Sequence, residues 1–268
     1  MEIRNLGKSG LRVSAVGLGC NNFGGRIDLE ATRAVIHKAF DLGITLFDTA
    51  DVYGERGGSE TCMGQVLGDM RKDIVLATKF CMPMSDDGRK QGASRRYIMQ
   101  AVEDSLKRLR TDWIDLYQVH RFDPLTPVEE TLRALDDLVR SGKVRYIGCS
   151  NWASWQMVDA AWTARTCNLN GFVSCQDEYS LVMRDAEGEL MPAARHLGMG
   201  LLPYFPLASG LLTGKYRRNA PLPSGTRLAN TPRLADRYLT DRNWTIAEKL
   251  GDFVAARGKT MLELAFSW

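Results

Sequence analysis

The stretch Ile44-Thr45-Leu46-Phe47-Asp48-Thr49-Ala50-Asp51-Val52-Tyr53-Gly54 decides how the rest of the chain is read. It opens as a short apolar run, with Ile44, Leu46 and Phe47 in the pattern of a buried strand. It closes on polar residues and a glycine. Asp48 therefore stands where the strand runs out, and Tyr53 falls in the loop that follows. An acid at a strand end and a phenol in the next loop form a pair suited to proton transfer.

Working outward, the same strand-then-helix unit recurs. Upstream, residues 3 to 13 hold two short extended runs around Lys8-Ser9-Gly10, the pattern of a hairpin, and 13–19 reads as the first core strand. Asp28 caps a helix with Ala31, Val35, Ala39 and Leu42 on its apolar face, and Gly43 stops it. Downstream, a helix over 59–68 leads to a strand at 74–80. Ser94 opens a helix with Ile98, Ala101, Val102, Ser105, Leu106 and Leu109 on one face. A strand at 113–120 follows. Thr126-Pro127-Val128-Glu129 reads as a capping box for a helix that buries Leu132, Leu135 and Val139. Strands at 145–150, 172–176 and 201–204 alternate with helices over 153–166 and 189–197. A polar loop then runs to about Thr240, before a helix that ends at Arg257.

Seven such alternations imply a parallel sheet covered by helices. No G-x-G-x-x-G follows the first strand, where an open dinucleotide-binding sheet would carry it. The expected fold is α/β, a (β/α)8 TIM barrel preceded by a β-hairpin, as one domain over 1–268. Seven strands are one short of eight, and the amphipathic run Thr260–Trp268 ends on an apolar residue with no cap. The expectation is that a longer protein continues with one strand and one or two helices, roughly 40 to 60 residues. A chain without them is expected to bind cofactor weakly or to fold less stably.

Composition narrows the function classes. Among the 268 residues, 35 basic and 32 acidic side chains leave a formal charge of +3, which argues against electrostatic capture of nucleic acid. No apolar run approaches the roughly 18 residues of a membrane span, and Met1-Glu2-Ile3-Arg4-Asn5 lacks a signal peptide's apolar core. The six cysteines are scattered without a C-x-x-C pair, which points to reduced thiols in a cytoplasmic protein rather than a zinc site or disulfide scaffold. His37 and His196 sit in helical contexts and read as structural.

Active sites of such barrels lie at the C-terminal strand ends. Those ends carry Asp48 with Tyr53 beyond it, then Lys79, His120, Ser150-Asn151, Gln176 and Tyr204. Together with Leu-Gly-Lys-Ser-Gly-Leu-Arg-Val-Ser at 6–14 and Phe-Asp-Thr-Ala-Asp-Val-Tyr-Gly at 47–54, several further motifs stand in order. They are Gly-Gly-Ser-Glu at 57–60, Ala-Thr-Lys at 77–79, Gln-Val-His-Arg at 118–121, Gly-Cys-Ser-Asn at 148–151 and Leu-Leu-Thr-Gly-Lys-Tyr at 211–216. In this set the chain resembles the aldo-keto reductase family from its first hairpin to Trp268.

The resemblance implies an NADPH-dependent reductase of aldehydes or ketones. Its tetrad falls on Asp48, Tyr53, Lys79 and His120, with Tyr53 the proton donor. A free tyrosine is a weak acid, and a neighbouring Lys79 charge is expected to lower its pKa. Asp48 would keep Lys79 charged, and His120 would hydrogen-bond the substrate oxygen. By the same resemblance Ser150, Asn151 and Gln176 hold the nicotinamide amide of NADP(H), and Tyr204 stacks on its ring. Phe205 replaces the serine usual after that tyrosine. Pro206, Leu207, Ser209, Gly210, Lys215 and Arg227 match the loop over the pyrophosphate, where cations neutralise phosphate.

Asn21, Asn22, Phe23, Phe80, Phe122 and Trp152 border the expected substrate pocket, and no metal is implied. The expected partner is a small carbonyl compound, with no nucleic acid or membrane. Two alternatives stand beside the enzyme: a regulatory binding module like the potassium-channel β subunits of this family, and an inactive truncated copy.

Overall fold

The computed structural model describes residues 1–268. Strands β1 (Ile3–Asn5) and β2 (Arg12–Ser14) form an antiparallel hairpin, with Ile3 opposite Ser14. Seven further strands lie side by side in chain order. They are β3 (Gly17–Gly19), β4 (Leu46–Asp48), β5 (Val75–Phe80), β6 (Ile114–Val119), β7 (Val144–Ser150), β8 (Ser174–Glu178) and β9 (Gly200–Tyr204). Pairing is parallel from β3 through β8. Between them run α1 (Leu29–Asp41), α2 (Tyr53–Val66), α3 (Arg95–Leu109), α4 (Val128–Arg140), α5 (Ser154–Thr166) and α6 (Leu190–Leu197). This is the (β/α) barrel architecture with an N-terminal hairpin, and the right-handed crossover explains why every strand sits beside its sequence neighbour.

The chain divides into two compact units, Met1–Gln176 with Leu190–Leu202 and Asp177–Glu189 with Pro203–Trp268. In the first unit, side chains of one parity point inward from each strand. Leu46, Ala77 and Leu116 pack with Leu6 and Val13 of the hairpin region. Two residues further along the same faces stand Asp48, Lys79 and Gln118, with Lys79 paired in register to Gln118. The interior thus changes from apolar to polar in one step of the pleat. The opposite faces carry Phe47 and Leu76, which meet Ile36 of α1 and Met63 of α2.

In the second unit, α7 (Arg227–Asn230), α8 (Pro232–Tyr238), α9 (Asp241–Ala255) and α10 (Met261–Ser267) surround a core of Val182, Leu211, Leu212, Tyr216, Tyr238, Val254 and Met261. The segment read as a polar loop therefore contains two short helices. Their apolar residues, Leu228 and Tyr238 among them, are too sparse for a periodic signal. Thr260 and Glu263 form a reciprocal capping box at the start of α10.

Three local readings change. Val13 and Ser14 belong to the hairpin, and the barrel sheet begins only at Gly17. On α1 the buried stripe is Thr32, Ile36 and Ala39, one position round from the expected face, so Val35 is 38% exposed and Leu42 lies outside. Asp28 does cap this helix, accepting from the Ala31 N–H at 2.9 Å. At α4 the capping box does not form, because the Thr126 hydroxyl donates to Asp123 Oδ2 at 2.8 Å instead and Pro127 takes the cap position.

The α1 correction has a measurable consequence. Ile36→Ala is expected to destabilise the fold by about 2–5 kcal/mol, as for other buried aliphatic truncations. Val35→Ala is expected to stay within about 0.5 kcal/mol. Urea unfolding of both variants checks the assignment, and equal losses would restore the stripe read from sequence.

Candidate active site

Strand β4 ends at Asp48 and β5 presents Lys79 from the same interior face. Lys79 is 0% exposed, and its ammonium is held by two acceptors. Nζ donates to Asp48 Oδ2 at 2.5 Å and to the Thr49 carbonyl at 2.9 Å, and it lies beside the Tyr53 ring. A buried cation that donates to a carboxylate and to a carbonyl meets the condition for keeping its charge. Burial works against that charge, but the attraction of Asp48 and Tyr53 outweighs it and the Lys79 pKa ends above its ordinary value.

The second oxygen of Asp48 is also fixed. Gln118 Nε2 donates to Oδ1 at 3.0 Å and Gln176 Nε2 at 3.2 Å. The Gln118 contact was missed in the sequence, where only its place in a motif was noted. Its position two residues before His120 was legible, but its partner was not, because the contact depends on how β6 aligns with β4.

Tyr53 lies with its ring 5.6 Å from that of His120, edge to face at 84°. Lys79 Nζ is 5.1 Å from the centre of the Tyr53 ring. The four residues expected to work together are therefore one cluster. The expected depression of the Tyr53 pKa is not the net result. Burial raises it, and the opposing pull of Lys79 does not prevail. The His120 pKa is pushed down to about 3, first by burial and then by the Lys79 and Arg121 charges, so the imidazole is neutral near pH 7. Its Nδ1 is buried and makes no hydrogen bond.

The backbone after Tyr53 is unusual. Gly54, Glu55 and Arg56 have φ of 66°, 60° and 69°, a left-handed turn in front of the right-handed part of α2. At Gly54 a Cβ would stand 2.5 Å from the Phe23 carbonyl oxygen and 2.6 Å from the Ser59 nitrogen, so only glycine fits. Asp51, two residues before Tyr53, is almost wholly buried, and neither carboxyl oxygen has a hydrogen-bond partner. Burial and the nearby Glu60 hold its pKa well above the ordinary carboxyl range.

Ser150, Asn151 and Gln176 meet at the ends of β7 and β8. Asn151 has φ of 56°, a region asparagine tolerates. Its N–H donates to the Gln176 carbonyl at 3.0 Å, and its Nδ2 donates to the His120 carbonyl and to Ser150 Oγ, each at 3.0 Å. In the second unit, Tyr204 meets Phe205 edge to face at 5.3 Å, and the Arg227 guanidinium lies 5.7 Å from the Phe205 ring. Pro206 and Leu207 lead into a turn at Ala208-Ser209-Gly210, all at positive φ. A Cβ on Gly210 would approach Lys215 Nζ to 3.4 Å, so bare backbone and a cation lie side by side there.

Of the residues expected to border substrate, Phe80 is wholly buried and stacks on Tyr117 at 4.8 Å. Phe23 and Trp152 are also core, whereas Asn21, Asn22 and Phe122 retain surface.

A family model described as "Aldo/keto reductase family" matches residues 15–268. The chain belongs to the aldo/keto reductase family. It is 41% identical to an uncharacterized oxidoreductase, YrpG, of Bacillus subtilis, across all of this chain and 83% of that protein. It is 37% identical to a probable voltage-gated potassium channel subunit beta of Oryza sativa, again across all of this chain and 83% of the relative. L-glyceraldehyde 3-phosphate reductase of Escherichia coli K12 is 37% identical, across all of this chain and 80% of the relative. Membership places the chain among oxidoreductases of carbonyl groups.

The His120 result carries a pH prediction. Its pKa is lower folded than unfolded, so the unfolded chain binds the extra proton. The resulting contribution to stability is fully present above about pH 6.5, the ordinary histidine value, and declines as pH falls toward 3. Imidazole NMR is expected to show His120 neutral throughout pH 5 to 8. A His120 midpoint near 6.5 would remove the basis for a neutral hydrogen-bonding group.

Proposed function

We propose that the chain reduces an aldehyde or ketone to the alcohol with NADPH, Tyr53 donating the proton. The observation that carries this reading is a buried Lys79 bonded to Asp48 and the Thr49 carbonyl and lying 5.1 Å from the Tyr53 ring, beside a neutral His120. Lys79 stabilises developing negative charge on the Tyr53 oxygen as its proton leaves. Asp48 holds Lys79 by a charge-assisted hydrogen bond, and Gln118 prevents Asp48 from turning. A neutral His120 beside Tyr53 is suited to orient and polarise the carbonyl oxygen without competing for the proton.

The bound cofactor would supply the hydride. Ser150, Asn151 and Gln176 are the residues for its nicotinamide amide, and Tyr204 for its ring. The turn backbone at Ser209 and Gly210, the adjoining Pro206 and Leu207, and the cations Lys215 and Arg227 have the chemistry to hold its phosphates. The preference for NADP(H) over NAD(H) belongs to the proposal. So does a cytoplasmic location, which fits six free cysteines and the absence of any helix long and apolar enough to cross a membrane.

The probable potassium channel β subunits of rice and Arabidopsis, at 37% and 38% identity, favour a second reading in which the barrel serves as a binding module on a membrane complex. Stable co-purification with such a complex would favour it.

Tyr53→Phe keeps the ring and removes the acid. It is expected to lower kcat for carbonyl reduction by about 10²- to 10⁴-fold, with cofactor affinity within a few-fold of the parent. Steady-state kinetics together with cofactor fluorescence titration measure both. A variant that turns over at the parent rate would show that another group gives the proton.

A further inference from the structure

Asp51 has no part in the chemistry above, yet it is 1% exposed and neither carboxyl oxygen has a hydrogen-bond partner. A polar group buried in that way costs stability unless something answers it. Its side chain lines a cavity of about 150 Å³ between the turn after Tyr53, the loop after β5 and α3. Around it stand Arg56 of the turn, Lys90 of the loop, and Tyr97, Asp104 and Arg108 of α3.

The three cations differ in how firmly they are held. Arg108 is anchored: Nε donates to Glu60 Oε2 at 2.7 Å and Nη2 to Ser105 Oγ at 3.2 Å, which leaves Nη1 for another acceptor. Its chain packs over Gly57, where a Cβ would come 2.8 Å from Arg108 Cδ. Arg56 pairs with Asp86, but those side chains are 41% and 89% exposed, so the pair is weak and free to reorient. Lys90 is exposed and makes no ion pair. The two most buried polar groups are neutral. Burial, and then Glu60, keeps the proton on Asp51 well above the ordinary carboxyl range, with Arg108 and Lys79 opposing. Burial, and then Asp51, likewise keeps the proton on Tyr97. Each therefore offers an O–H donor. Against these donors and cations stands one carboxylate, the half-buried Asp104.

Such a lining suits an oxyanion. Asp104 narrows the choice, because a carboxylate accepts a hydrogen bond only from an oxyanion that still carries a proton. A phosphate group keeps one in mildly acidic solution, whereas sulfate has none to give. We propose that this cavity binds a protonated phosphate group, free or carried on a small molecule. Asp51 and Tyr97 donate to it from the buried side, Arg56, Lys90 and Arg108 supply the charge, and Asp104 accepts the phosphate's own proton. Asp51 and Arg56 flank Tyr53, so the bound group also ties together the two ends of the left-handed turn. The site does not rest on the reductase reading above.

The test titrates the full chain with inorganic phosphate at about pH 6 by isothermal calorimetry, with sulfate as the counter-probe. Saturable phosphate binding is expected, with sulfate at least about tenfold weaker. Lys90→Ala, which strands no partner, should weaken phosphate by about tenfold. Asp51→Asn still donates through its amide and should stay within about threefold of the parent. Asp104→Asn should bring sulfate to within about threefold of phosphate, since its amide no longer demands a proton from the ligand. Glycerol 3-phosphate binding as tightly as phosphate assigns the site to a phosphate carried on a small molecule, and its exclusion assigns it to the free ion. A parent that binds no phosphate, or binds sulfate equally, overturns the proposal. An affinity unchanged in Lys90→Ala puts the ion elsewhere, and loss of binding in Asp51→Asn removes the donor role, so either result overturns it too. None of these measurements depends on carbonyl reduction.

Discussion

An ammonium group with no exposure to water sits at the centre of this structure, and much of the surrounding architecture exists to satisfy it. Lys79 emerges near the end of a barrel strand into an interior that two residues earlier is filled by Ala77, Leu46 and Leu116. Removing one partner of a buried ion pair typically costs about 3–5 kcal/mol. Asp48 and the Thr49 carbonyl are therefore structural necessities before they are chemical ones. The parallel register places them: β4 and β5 run side by side, so the end of one brings its acid to the lysine of the other. The hairpin packs on the apolar layer and leaves the polar layer to the opposite end.

The electrostatic balance around that cation is asymmetric. Burial disfavours charge on every group nearby, yet only Lys79 has an anion at hydrogen-bond distance. His120 responds by staying neutral, and Tyr53 by holding its proton more tightly than a free phenol. A tyrosine that keeps its proton until negative charge develops on a neighbouring oxygen is suited to donation late in a reaction. Lys79 favours the phenolate once the proton has gone, so its influence is greatest when the reaction needs it.

The sequence disclosed the fold well where periodicity was strong. The α3 face from Ile98 to Leu109 and the ends of β5 and β6 could be read directly, because apolar spacing and helix caps are local signals. It disclosed the tetrad through strand ends and motif resemblance together. It did not reveal Gln118 as the second restraint on Asp48, since that contact depends on alignment between strands 70 residues apart. It overstated the effect of Lys79 on Tyr53, because burial has no sequence signature at a loop residue. It misplaced the α1 stripe by one position, where Val35 and Ile36 are equally apolar and only packing against Phe47 and Met63 selects between them. The two helices between Gly225 and Thr240, α7 and α8, escaped notice because they are short and sparsely apolar.

The left-handed turn behind Tyr53 joins two fixed points. On one side the Asp51 N–H is bonded to the Lys79 carbonyl at 3.0 Å. On the other, Ser59 Oγ donates to the Cys20 carbonyl at 2.8 Å and lies 2.8 Å from Thr49 Oγ1. A helix of one hand cannot slide into a turn of the other, so α2 has no means of absorbing a change in length. The interval from Asp51 to Ser59 is therefore a spacer of constant size. A residue added or removed within it would have to be accommodated by turning Tyr53 itself, which makes loop length here as much a part of the site as the phenol.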